Sequence, residues 1–244
     1  MIKFFRKIRY DLMEKNKTGK YFKYAIGEIV LVVIGILIAL QINNANETKK
    51  NHIRELKYLT NIKEEIKEDL LTLEMGWFKN YSKKIKALEN TREFIMGNYK
   101  PIDNVKFIND VGYGAIYSRA NFTATSIIYK ELISTGNLDL ILDDDIRSQI
   151  IDYYETQEFI INYANSIRSE YATYSNSIKP YNPKFPNEVN ILEIPRILKM
   201  IRTEEFHSLL NQEFAFAYAI NRQLEYQKKM SNELHKNIEK CLNK

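Results

Sequence analysis

A run of twelve residues without a polar side chain, Ile29-Val-Leu-Val-Val-Ile-Gly-Ile-Leu-Ile-Ala-Leu40, constrains this chain more than any other feature. Twelve residues do not cross a bilayer. Extended back through Tyr21-Phe22-Lys23-Tyr24-Ala25-Ile26-Gly27 and forward to Ile42, the stretch reaches about 20 residues, enough for a helix to cross roughly 30 Å of hydrocarbon. β-branched residues lie all round its circumference, so it lacks the polar face of a helix packed in a soluble core. Glu28 is the one acid inside, near headgroup depth and within reach of Lys23. Tyr21, Phe22 and Tyr24 form an aromatic collar on the same side. The exit, Gln41-Ile-Asn-Asn-Ala-Asn-Glu47, offers no small-x-small cleavage site, so an uncleaved signal anchor is expected rather than a cleaved signal peptide.

Charge then orients the span. Residues 1–24 carry eight cations against Asp11 and Glu14, a net of +6, while the whole chain is +5, so the remainder sums to −1. Only Lys49, Lys50, Arg54 and Lys57 follow the span closely, and the excess of cations before it places the N-terminus in the cytoplasm. The pI near 9.0 therefore reflects the tail and not a basic body. Nucleic-acid binding, which needs cations clustered on the folded surface, is not expected. The chain reads as a basic cytoplasmic tail (1–24), a transmembrane helix (25–42) and a helical-bundle domain (43–244) on the periplasmic face of a bacterial inner membrane. Within the span, Gly27, Gly35 and Ala39 are small, and Gly35 with Ala39 forms a small-xxx-small pair that can seat a second helix.

The stretch from Asn16 to Glu47, Asn-Lys-Thr-Gly-Lys-Tyr-Phe-Lys-Tyr-Ala-Ile-Gly-Glu-Ile continuing through the apolar run, resembles the N-terminal signature of an uncharacterised bacterial family known only as a domain of unknown function. The resemblance returns more loosely at Tyr129-Lys-Glu-Leu-Ile-Ser-Thr-Gly-Asn-Leu-Asp-Leu-Ile141 and Ile150-Ile-Asp-Tyr-Tyr154. It implies a single-span membrane protein with a helical C-terminal region and no catalytic residues. Ala45 stands where the family usually has Trp, which removes an interfacial anchor at the exit.

Beyond the span, Gly and Pro are sparse (eight and five), and the apolar residues recur at three-four spacing. Ile53, Leu56, Leu59, Ile62, Ile66, Leu70, Leu73, Trp77, Tyr81, Ile85, Leu88 and Ile95 predict one long helix ending at Gly97. Asp103 caps a short helix over Val105–Val111, Gly112–Thr123 reads as a loop, and Ser126–Thr135 reads as a helix ended by Gly136. Ile146 to Ile178 holds three-four spacing as a second long helix, capped by the acids Asp143-Asp-Asp145 and stopped by Pro180. Pro180–Asn187 is an extended connector, a short helix starts at Pro195, and Thr203 caps the last long helix. The expected fold is all-α, one transmembrane helix followed by an extracytoplasmic bundle of about four helices.

Chemistry is thinly supplied. Cys241 is alone, so neither a disulfide nor a thiolate metal site is available, and three histidines give no second partner for the Glu204-x-x-His207 pair. No nucleophile elbow, phosphate loop or dinucleotide fingerprint occurs. Pairs such as Glu65 with Glu68 and Glu155 with Glu158 read as solvated helix surface. The concentrated feature is tyrosine, nine of seventeen lying between Tyr113 and Tyr181. Tyr113, Tyr117, Arg119, Tyr153, Arg168, Tyr171 and Tyr174 are the candidate ligand or partner contacts. No enzyme activity and no cofactor is expected. The expected partners are the lipid bilayer and another envelope protein or a second copy. The leading role is a scaffold or accessory interaction module, and the alternative is a small-ligand sensor built on the Tyr-rich region.

Overall fold

The computed structural model describes Arg6, Tyr10 and residues 18–115, 125–179 and 189–243. The basic tail, Tyr117, Arg119 and the Pro180–Asn187 connector fall wholly or mostly outside these residues. The described residues are helical with no strand, and the chain divides into two compact units, 1–56 and 57–244.

Helix α1 (Thr18–Thr72) carries the apolar run. Leu31, Leu37 and Ile42 are each about 60% exposed, and none of the most apolar window is buried. Side chains this apolar on every face need a non-aqueous surrounding, and α1 is a candidate membrane-spanning helix near the N-terminus.

In the second unit the end of α1 continues through a π-helical turn (Leu73–Phe78) into α2 (Lys79–Ile95). A π turn inserts a residue and rotates the helix beyond it, so Leu73, Trp77 and Tyr81 all stay buried. Gly97, at φ 82°, closes α2 in the left-handed conformation that glycine adopts without strain. Asp103 caps α3 (Asn104–Gly114) by accepting from Lys106 N, and Gly136, φ 65°, comes after α4 (Ile127–Ser134). Asp143 accepts from Ile146 N at the head of α5 (Asp144–Ser166), with Asp144 and Asp145 in the first turn against the positive helix end. Ser169 caps α6 (Glu170–Ile178), Pro195 opens α7 (Ile194–Ile201), and Thr203 caps α8 (Glu204–Leu242). Helix α8 is the spine, packing against α5, α2, α6 and α7, while α3 lies across α2, α6 and α7.

The all-α expectation holds, with two differences in detail. The segment expected as one helix from Ile146 to Ile178 breaks after Ser166, where Ile167 turns extended at ψ 125° and Ser169 restarts the helix. Gly112–Gly114, expected in a loop, belong to the last turn of α3. Gly114 is needed there, because a Cβ would stand 2.7 Å from Leu88 Cδ2 and 3.2 Å from the Tyr171 hydroxyl.

Candidate functional site

Charged residues sit where the stripes call for apolar ones. Lys84 on α2 and Glu213 on α8 are each 1% exposed and form a hydrogen-bonded ion pair. Ser169 Oγ donates to Glu213 Oε2 at 2.5 Å and accepts from Ala172 N at 2.9 Å. One hydroxyl thus caps α6 and completes the ion pair, which accounts for a helix break where the sequence has neither Gly nor Pro. Burial pushes the Lys84 ammonium below its ordinary range, and Glu213 opposes that shift. Tyr81, pushed up by burial and by Glu213, stays a neutral phenol.

A second cluster lies on α1. Asp69 Oδ1 accepts from Thr125 N at 3.0 Å, and its Oδ2 accepts from the Tyr153 hydroxyl at 2.9 Å and Gln157 Nε2 at 2.8 Å. One turn earlier, Glu65 accepts from the Tyr154 hydroxyl at 2.7 Å and Ile128 N at 3.1 Å. Burial raises the Asp69 carboxyl above its usual range, against the pull of its three donors. Burial also lifts the Tyr153 and Tyr154 phenols, which remain donors. Glu65, read from sequence as solvated surface, is 8% exposed, because it faces α4 and α5 where the Tyr154 hydroxyl meets it. In both clusters the donors and acceptors are spent on one another; chemically they are ties between helices.

The tyrosines singled out from the sequence do not converge. Tyr153 packs with Ile62, Ile66 and Leu234. Tyr171 is fully buried in a different core cluster, its hydroxyl donating to Val111 O at 3.0 Å, and Tyr174 meets Phe206 edge-on at 5.8 Å. Tyr113 is half-buried on α3, donating to Asn80 Oδ1 at 3.3 Å, with Lys83 Nζ 3.9 Å above its ring. Arg168 is exposed at the α5–α6 break. In the first unit, Gly27 and Gly35 have open space where a side chain would stand, and Ala39 is exposed.

The space left by this packing is of two kinds. Beside Ser175 lies a cavity of about 10 Å³, no larger than one water. The larger spaces are open grooves: about 460 Å³ beside Gln149, Tyr226 and Asn237 between α5 and α8, and about 830 Å³ between α4 and α5. The stripe pattern does not reveal the second groove, since its floor depends on the stacking of Tyr129 on Tyr154 across 4.5 Å. The sequence signal for it is the resemblance at 129–141 and 150–154, which covers parts of both walls.

Among the described residues no three His, Cys, Asp or Glu side chains gather as a metal site. No curated protein and no solved structure matches the chain. A family model does match, over residues 28–206, and the chain belongs to that family, DUF6090, a family of unknown function.

Proposed function

We propose that this chain is a membrane-anchored, non-enzymatic envelope protein whose helical bundle serves as a scaffold or accessory interaction module. The observation that carries the reading is the pairing of a helix apolar on every face with a bundle whose buried carboxylates, Asp69, Glu65 and Glu213, are engaged in ties between helices. Such a bundle is rigid and presents shape and charge on its outside, which is what a partner protein reads. Of the groups with shifted pKa, Asp69 and Tyr153 sit beneath the surface bound to each other, while Tyr154, at the floor of the open α4–α5 groove, has its hydroxyl held by Glu65. The cation excess before the span supports a cytoplasmic N-terminus and a periplasmic bundle at the inner membrane. Gly27, Gly35 and Ala39 leave room along α1 for a second span, whether of another protein or of a second copy.

The sensor reading requires Tyr and Arg side chains around one cavity. Tyr153 lies in a different core cluster from Tyr171 and Tyr174, and the hydroxyls of Tyr153 and Tyr171 are already engaged. Gentle solubilisation of membranes followed by native electrophoresis of the full chain separates the two. A scaffold migrates in a stable larger complex at fixed stoichiometry with an envelope partner. A bare monomer that is stabilised against heat by small metabolites favours the sensor.

A further inference from the structure

The groove between α4 and α5 has the shape of a seat for one more helix. On α5 it is lined by Tyr154, Glu155, Glu158 and Ile161, and on α4 by Tyr129, Lys130 and Ile133. Both sets keep three-four spacing, so each wall is a single helix face, about two turns and roughly 11 Å long on α5 and about one turn, roughly 6 Å, on α4. The stacked Tyr129–Tyr154 pair joins the walls at the floor, where Tyr154 is 3% exposed and fixed by its hydrogen bond to Glu65. Ile133, 51% exposed, and half-buried Ile161 stand above that floor with no helix over them among the described residues. Ridges three and four residues apart on two walls are what a third helix packs against, with its own apolar seam filling the space between.

Charge says which helix. Glu155 and Glu158 are exposed on the α5 lip and form no ion pair or hydrogen bond among the described residues; Lys130 stands equally exposed and unpaired on the α4 lip. Helix α5 carries Asp144, Asp145, Asp152, Glu155 and Glu158 against Arg147 alone. Helix α4 carries Lys130 and Glu131, of which Lys130 lines the groove, so the α5 lip is acidic and the α4 lip presents a single cation.

We infer that this groove is the docking site for an amphipathic helix of a partner protein, its apolar seam lying on Tyr129, Tyr154, Ile133 and Ile161. Its cationic flank faces Glu155 and Glu158, and an acidic residue on the other flank faces Lys130. The inference rests on the scaffold reading and names the chemistry of the partner. Flank charges of opposite sign set the direction and register in which such a helix lies, as they do at the edges of a coiled-coil seam.

The test uses the full chain in zwitterionic nanodiscs and two synthetic helices of about four turns with a leucine seam. One carries lysines on a flank, the other glutamates, and both carry a benzophenone on the seam. The lysine peptide is expected to cross-link within residues 126–134 and 154–162. In the Glu155→Lys/Glu158→Lys chain its affinity is expected to fall about tenfold, while the glutamate peptide gains affinity. Both sites are exposed, so an unchanged melting curve shows the fold is intact; Ile133→Ser weakens both peptides and serves as the second variant. Equal binding to the wild type and the charge-reversed chain overturns the inference, as does cross-linking elsewhere. Full displacement of the peptide by spermidine that binds as tightly overturns it in favour of a small-cation site. A native complex that survives charge reversal and the Ile133→Ser change also overturns it and leaves the scaffold reading standing, whereas a wild-type chain with no complex at all counts against the scaffold reading itself.

Discussion

The two buried polar clusters of the bundle do the same task with different chemistry. Around Asp69 and Glu65, carboxylates meet neutral donors, two tyrosines, a glutamine and two backbone amides. Around Glu213 the carboxylate meets a lysine ammonium and one serine hydroxyl. The first cluster spreads each carboxylate over several weak ties, so no single loss strands a full charge without help. The second sets one full charge against another, with the Ser169 hydroxyl on the carboxylate. A buried ion pair contributes little net stability when intact and costs heavily when halved, since the surviving charge stays desolvated. What the contrast teaches is where the bundle is brittle: at the α2–α8 contact, not along α1.

The largest expected effect is therefore Lys84→Met, which leaves Glu213 buried without its cation and should cost about 3–5 kcal/mol in urea unfolding of the detergent-solubilised chain. Lys84→Met combined with Glu213→Leu should recover most of that loss. A double variant as unstable as the single would show that the pair contributes more than charge neutralisation. On the other side of the comparison, Tyr153→Phe and Tyr154→Phe each remove one donor from a shared carboxylate and should cost about 1–3 kcal/mol, less than the broken ion pair.

Acidification separates the clusters further. The folded-state pKa of Asp69 is raised above its unfolded value, so its stabilising contribution is full below the unfolded pKa and is lost as pH rises through the folded one. Wild type should gain stability relative to Asp69→Asn as pH falls through that raised value toward the unfolded one, read from paired urea curves. Parallel pH profiles for the two proteins would contradict it. Gly114→Ala, which presses a Cβ onto the Leu88 methyl, should cost about 1–3 kcal/mol by overpacking. The smallest effect belongs to Arg168→Ala, exposed beside Ser169 and with no ion pair or hydrogen bond among the described residues, within about 0.5 kcal/mol of wild type.

Much of the fold is legible because it is written in local chemistry. Asp103, Asp143 and Thr203 cap the helices they precede, and Gly97 and Gly136 adopt the left-handed turns that end α2 and α4. The apolar run declares itself by length and by the lack of a polar face. The features that escape such a reading are nonlocal. The break between α5 and α6 arises from a hydroxyl on Ser169 meeting a carboxylate 44 residues away, and although Ser169 before Glu170 is an N-cap signal, the three-four spacing that runs unbroken from 146 to 178 masks it. The buried charges do leave a signal. Asp69 falls in register between Ile66 and Leu73, Lys84 between Tyr81 and Leu88, and Glu213 between Leu210 and Ala217. A charged residue on the three-four stripe is buried unless the stripe itself is exposed, and a buried Lys84 calls for an acid, though sign alone does not choose Glu213 over Asp69. The candidate site is less legible. Clustering in sequence groups the tyrosines together, but Tyr153 and Tyr171 fall on opposite sides of the helix break and lie in separate cores. Tyr129, which does reach Tyr154 at the floor of the α4–α5 groove, gives no such signal, because α4 is short and its register against α5 is set by Glu65 accepting from Ile128 N.

In the proposed reading, the side of the membrane that the bundle occupies decides its partners, its location and its role together. Cys241, partly exposed near the end of α8, is the one thiol in the chain. A small sulfonated maleimide applied to intact cells reads its location, with a denatured sample as the control for reactivity. A periplasmic bundle predicts labelling without lysis of the inner membrane. Labelling only after lysis, with the denatured control positive, would put the bundle in the cytoplasm and contradict the orientation, the localisation and the envelope partner together.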